Sequence, residues 1–258
     1  MPPTGGPRRL FLGDVHACAD ELEEMLERLA PGPDDELAFV GDLASRGPHP
    51  LRALRLVRDV AQHVVLGNHD LHLLGVAAGE REASPGDGCA EILDAPDAAE
   101  LLEWLRTRPL VVEWGDAWMV HAGIHPAWTA PRDVAAPLEE RIAAGRIPWG
   151  DDALSFLTRA RECDAHGRRP GDGAAPEDLR PWDAWYRGSR TLVFGHWAAR
   201  GRVEEGRVRG LDTGCLWGGA LTAWIAEEDR FVSVAARRTY REPDGPPGGT
   251  SWFSGQST

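Results

Sequence analysis

The chain has 258 residues, enough to bury a substantial core in one compact domain, and its 41 acidic against 28 basic residues leave a net charge of -13. That balance argues against a general electrostatic grip on nucleic acid or anionic membranes, so an anionic substrate must be attracted locally. No lysine occurs, which excludes a Walker-type phosphate loop and Schiff-base chemistry.

Residues 1–8 read as a flexible N-terminus rich in proline and glycine, without the apolar stretch of a signal peptide. No later run is long and apolar enough to span a bilayer, and the expected compartment is the cytoplasm. Cys18, Cys89, Cys163 and Cys215 form no close pair, which suits free thiols in a reducing compartment. Residues 10–12 predict a strand ending in Gly13-Asp14. Leu22, Met25, Leu26 and Leu29 follow at helical spacing; Glu21, Glu23, Glu24 and Glu27 between them predict a solvated face, and Asp20 an N-cap signal. Residues 37–40 predict a second strand ending in Gly41-Asp42, Pro50 opens a helix through about Ala61, and residues 64–66 predict a third strand ending in Gly67-Asn68.

A glycine-rich loop at 84–88 leads to a helix around 98–106 and to strands near 110–113 and 118–121, turned by Gly115-Asp116. Residues 166–176 read as a loop with the composition of a lid, and strands resume at 191–194, 207–211, 220–225 and 231–234. The tail from 241 has a disordered composition, leaving one catalytic domain over residues 9–240. Strands alternating with amphipathic helices predict an α/β fold, a central β-sandwich flanked by helices.

Five blocks punctuate this pattern: Gly13-Asp14-Val15-His16, Gly41-Asp42-Leu43, Gly67-Asn68-His69-Asp70, His121-Ala122-Gly123 and Gly195-His196. Three follow the C-terminal ends of predicted strands, where open α/β sheets place their ligands. Divalent ions that activate water need carboxylate oxygens and neutral imidazoles, and a pair of ions needs one bridging anion; Asp42 is the natural bridge. Asp14 and His16 alternate about a strand end, so both can face one metal, with Val15 turned to the core between them. Asn68, His121 and His196 can complete a second position. His69 is placed to protonate a leaving oxygen, with Asp70 holding its imidazole in the donating form. Arg46 can clamp phosphate oxygens, and Arg159 and Arg161 are weaker candidates for a second clamp that a surface salt bridge would explain equally well. Singly, each histidine is better explained as structural; the ordered set is not. His49, His63, His72, His125 and His166 read as structural or exposed, and most of the 11 tryptophans as core.

These blocks resemble the calcineurin-like metallophosphoesterases. The stretches 66–74 (LGNHDLHLL), 194–198 (FGHWA) and 211–222 (LDTGCLWGGALT) look like the symmetrical bis(5'-nucleosyl)-tetraphosphatases within the phosphoprotein phosphatase superfamily. The resemblance implies the calcineurin-like metallophosphoesterase fold and two divalent metal ions, Mn2+ before Co2+ or Mg2+. Asp14, His16 and Asp42 would hold one ion, and Asp42, Asn68, His121 and His196 the other. It further implies hydrolysis of a dinucleoside polyphosphate, diadenosine tetraphosphate, to two ADP by a metal-activated hydroxide, with Asp212 to Trp217 near the rim in no chemical role. Ala17 departs from the usual glycine, a change tolerated if the backbone there avoids positive φ. Ser45 replaces the aspartate usual in protein phosphatases, and residues 126–190 are shorter than in longer dinucleotide hydrolases. The alternatives are a phosphomonoester or protein serine/threonine phosphatase, removal of nucleotide caps from RNA (the one case in which nucleic acid is a partner), and a non-catalytic dinucleotide sensor. Oligomeric state is not legible.

Overall fold

The computed structural model describes residues 6–171 and 177–242. Most of the expected flexible N-terminus, the end of the 166–176 loop and nearly all of the tail lie outside these. The elements run β1 (Arg9–Leu12), α1 (Ala19–Leu29), β2 (Glu36–Phe39), α2 (Pro50–Val60), β3 (His63–Val64), α3 (Asn68–Ala77), α4 (Cys89–Leu93), α5 (Ala98–Arg106), β4 (Val111–Glu113) and β5 (Ala117–Val120). They continue through α6 (Pro131–Ala143), α7 (Asp152–Arg159), β6 (Glu162–Cys163), β7 (Arg180–Pro181), β8 (Thr191–Phe194), β9 (Val203–Glu205), β10 (Val208–Gly210), β11 (Asp212–Thr213), β12 (Ala220–Ile225) and β13 (Arg230–Ala235).

Two sheets carry the fold. One has the order β11-β12-β1-β2-β3 with β13 on β12, the other β4-β5-β8-β10-β9, and β6 and β7 pair separately. Parallel pairing of β1 with β2 and of β2 with β3 sets three strand ends side by side; β5 and β8 do the same in the second sheet. Successive side chains alternate between faces, and both faces are buried, each in its own core. Phe11, Ala38, Met119, Val193 and Trp224 meet in a core between the sheets, while Leu10, Leu12, Leu37, Phe39, Leu192 and Phe194 turn outward to the helix-covered core. Trp114, at the hairpin between β4 and β5, closes the sandwich edge on Phe11 with ring centroids 5.2 Å apart. The fold is therefore the expected sandwich flanked by helices.

Several local expectations differ. Glu21 is fully buried, its Oε1 accepting the backbone N–H of Arg237 at 2.8 Å and the Tyr240 hydroxyl at 2.7 Å, because β13 and the chain after it cover this side of α1. Asp20 lies inside α1 and pairs with Arg52 at 2.6 Å, and the cap position falls to Cys18. The third strand is only two residues long, because the Leu66 N–H leaves the sheet to donate to Pro109 O at 2.8 Å. Helices α3, α6 and α7 were not expected. In α3 the polar residues Asn68, His69, Asp70 and His72 interrupt every apolar stripe, and α6 carries Pro137 in its interior, where proline ordinarily argues against helix.

Candidate active site

Each candidate ligand leaves the end of a strand. Asp14 and His16 follow β1, Asp42 follows β2, Asn68 follows β3 and opens α3, His121 follows β5, and His196 follows β8. The first pair is not placed by strand alternation, since β1 ends at Leu12 and the backbone at His16 is left-handed with φ 44. Val15 does turn into the core as expected. Ala17 also has positive φ, 60, so alanine here adopts the conformation that favours glycine. Among the described residues, eight non-glycines have positive φ, and His16, Ala17, Asp42, Arg46 and His196 are five of them. Strain of this kind persists only where surrounding contacts enforce it, and it concentrates at functional sites.

The donor atoms converge in two groups that share one residue. Ligand atoms of Asp14, His16 and Asp42 lie within 4.8 Å of one another, as do those of Asp42, His121 and His196. Asp42 Oδ2 is 3.7 Å from His16 Nε2 and 3.4 Å from His121 Nε2, so a single oxygen faces both groups. Asn68 Oδ1 joins the second group, 3.3 Å from His121 Nε2. His121 donates from Nδ1 to Val40 O at 2.7 Å, a bond that turns Nε2 toward the cluster. Backbone approach is close enough to exclude side chains: a Cβ on Gly67 would come within 2.1 Å of Asp42 Oδ1, and one on Gly195 within 2.0 Å of Asp14 Oδ1.

The electrostatics call for cations. Asp14, Asp42, Asp70 and Asp212 are all buried here. Burial, then Asp212 and Asp42, pushes the Asp14 carboxyl well above the usual range. Burial and Asp42 push Asp70 and Asp212 up to about 6. Burial, against the pull of Asp42, lowers the imidazoles of His16 and His196, and takes His69 down to about 3. Burial also opposes charge on His121, but Asp42, with help from Asp14, outweighs it and lifts that ring to about 10. Crowded carboxylates beside the imidazoles of His16, His121 and His196 are a donor set for divalent ions, since buried charges must be paired or coordinate a metal. His16 Nδ1 is buried without a hydrogen-bond partner. Divalent metal ions fit the residues present.

His69 lies next to the cluster, its ring 5.3 Å from that of His16, and its backbone N–H donates to Asp42 Oδ1 at 2.8 Å. Asp70 is not placed as expected. Its oxygens accept the N–H groups of Asp42 at 2.8 Å, Gly67 at 2.9 Å and Leu43 at 3.0 Å, so it ties the loop after β2 to the start of α3 instead of holding the His69 ring. Arg46, Arg159 and Arg161 all line one cavity of about 680 Å³ whose floor includes Asp42 and His69. Asp212, Arg81, Trp197 and Trp217 line it too. Asp212 was legible by the signal that found the others, an aspartate just past a predicted strand. Nothing marked Arg81. His125 stacks on Trp128 with ring centroids 5.5 Å apart, outside that cavity, in keeping with its exclusion, and Trp182 is core. His72 also lines the cavity, where it pairs with Asp87 at 3.0 Å.

The sequence profile of the calcineurin-like phosphoesterases matches residues 7–200. A symmetrical bis(5'-nucleosyl)-tetraphosphatase of Methylococcus capsulatus is 42% identical over 270 residues, covering 90% of this chain and 97% of its own. A solved structure described as a candidate diadenosine tetraphosphatase superposes with a TM-score of 0.69 at 26% identity, over 91% of this chain and 96% of that one. A Saccharomyces cerevisiae protein serine/threonine phosphatase, 15% identical, shares the fold with a TM-score of 0.57 over 93% of this chain and 82% of its own. With the donor groups at the strand ends and the profile spanning most of the chain, this protein belongs to the calcineurin-like phosphoesterases, alongside the symmetrical bis(5'-nucleosyl)-tetraphosphatases.

Proposed function

We propose that the chain hydrolyses diadenosine tetraphosphate to two ADP in the cytoplasm, as a single catalytic domain over residues 9–240. The observation that carries this is the pair of donor groups sharing Asp42 beneath an arginine-lined cavity, in a chain so similar to symmetrical tetraphosphatases. Two divalent ions, with Mn2+ favoured over Co2+ or Mg2+, belong to the groups Asp14, His16, Asp42 and Asp42, Asn68, His121, His196. Bound there, they would neutralise phosphate charge and make water more acidic.

The chain's own side chains supply the rest. Arg46, which lines the cavity, offers its planar fork to non-bridging phosphate oxygens. His69 donates a proton to the leaving oxygen; burial keeps the free ring neutral, and the negative charge of a bound polyphosphate favours the protonated form, with the proton taken up from solvent. Asp70 positions the loop bearing Asp42. Fixed placement of substrate against these groups accounts for most of the catalysis.

The test is product analysis by chromatography after incubation with Mn2+ and diadenosine tetraphosphate, beside Asp42→Asn and His69→Asn. ADP as the one nucleotide product, lost in both variants, supports the reading. ATP with AMP, or faster release of inorganic phosphate from a phosphopeptide, overturns it.

A further inference from the structure

A tetraphosphate chain reaches well past the metal ligands and Arg46. A second cationic wall faces the same cavity, made of Arg81, Arg159 and Arg161. Among the described residues none of these three has an ion-pair partner, whereas Arg8, Arg52 and Arg200 elsewhere are each paired with aspartate.

Arg81 has a built seat. Helix α3 ends in a turn in which the N–H groups of Glu80 and Arg81 fold back to Gly75 O, at 2.8 and 3.2 Å, with Gly79 at φ 71. That turn lays the Arg81 guanidinium 3.8 Å from the centroid of the Trp149 ring. Trp149 is itself fixed: its Nε1–H donates to Glu80 Oε2 at 2.8 Å, and its ring rests on Gly75, where a Cβ would come within 2.5 Å of Cζ2. A guanidinium stacked on a fixed indole keeps its N–H edge directed outward and loses little freedom when an anion arrives. Arg159 feels Arg81 as well as Asp42: its charged form is disfavoured by burial and then by Arg81. Two like charges gathered at one wall, neither in a direct ion pair, favour an anion bound between them.

We infer that Arg81, seated on Trp149, is a specificity-determining residue that with Arg159 binds the polyphosphate chain beyond the hydrolysed bond and so favours dinucleoside tetraphosphates over phosphomonoesters. The inference rests on the tetraphosphatase reading.

The experiment measures kcat/KM of the Mn2+-loaded protein for diadenosine tetraphosphate and for p-nitrophenyl phosphate, which has no distal phosphates. Arg81→Gln is expected to lower the ratio of the two about 10- to 100-fold, chiefly through KM, as loss of charge-assisted hydrogen bonds to phosphate requires. Arg81→Lys recovers part of the loss, and Trp149→Leu, which keeps the charge and removes the seat, lowers the ratio about 3- to 10-fold. The ratio is its own control for folding, because both substrates need the same metal site. An unchanged ratio in Arg81→Gln, with the unsubstituted chain producing ADP, overturns this inference alone. A chain that does not cleave the tetraphosphate overturns the tetraphosphatase reading and this inference with it.

Discussion

Asp42 Oδ2 lies between the Nε2 atoms of His16 and His121, at 3.7 and 3.4 Å, which makes one carboxylate common to both donor groups. Replacing it should therefore cost more than replacing a ligand that belongs to one group. Metal analysis by inductively coupled plasma mass spectrometry is expected to find both ions lost in Asp42→Asn and one retained in His196→Asn, with activity reduced at least a thousand-fold in the former. Equal stoichiometry in the two variants would sink the bridging role. Ala17 offers a test of strain at the same scale. Its left-handed backbone, φ 60, costs an L-residue about 1–2 kcal/mol, so Ala17→Gly should raise stability by roughly 0.2–1 kcal/mol once about 0.8 kcal/mol for the lost buried methyl is deducted. A melting temperature lowered by the substitution would refute that account.

At the scale of elements, Asp70 joins the turn after β2 to the first turn of α3 through three backbone N–H groups. Asp70→Asn keeps the shape but replaces one acceptor oxygen by a donor facing those N–H groups. Chemical denaturation should show a loss of about 2 kcal/mol. A variant of unaltered stability whose pH–rate profile alone moves would instead place Asp70 behind His69. The sequence made the strands readable because Leu10, Leu12, Leu37 and Phe39 form short apolar runs before Gly-Asp pairs. It made the candidate metal ligands readable because their glycines mark where backbone and side chain press together, as Gly67 does against Asp42. Helix α3 was hidden because its first turn carries the polar candidate residues Asn68, His69 and Asp70 where amphipathic spacing would be read. The burial of Glu21 was hidden because its partners, Arg237 and Tyr240, lie more than two hundred residues away along the chain. Arg81 was hidden for a similar reason: its seat, Trp149, belongs to the turn before α7.

For the whole molecule, a net charge of -13 together with carboxyls raised at its centre makes metal and pH act on stability jointly. In the metal-free protein Asp70 and Asp212 titrate near 6, above the ordinary value for an unfolded aspartate of 3.8. Between these values the folded chain holds more protons than the unfolded one, so this contribution to stability is present at low pH and is lost as pH rises through about 6. Bound cations favour the ionised carboxylates and remove the loss. The difference in melting temperature between Mn2+-loaded and EDTA-treated protein should accordingly widen from pH 5 to pH 7; a gap independent of pH would contradict it. The sharing of Asp42 also bears on kinetics. One donor group comes wholly from the loops after β1 and β2, in the first sheet, but the other joins Asp42 to His121 and His196, which follow strands of the second. That second set is complete only when the two sheets have docked, so an ion held there acts as a rivet put in after assembly. Manganese should leave the refolding rate almost unchanged and slow unfolding, making the loaded protein long-lived more than quick to form.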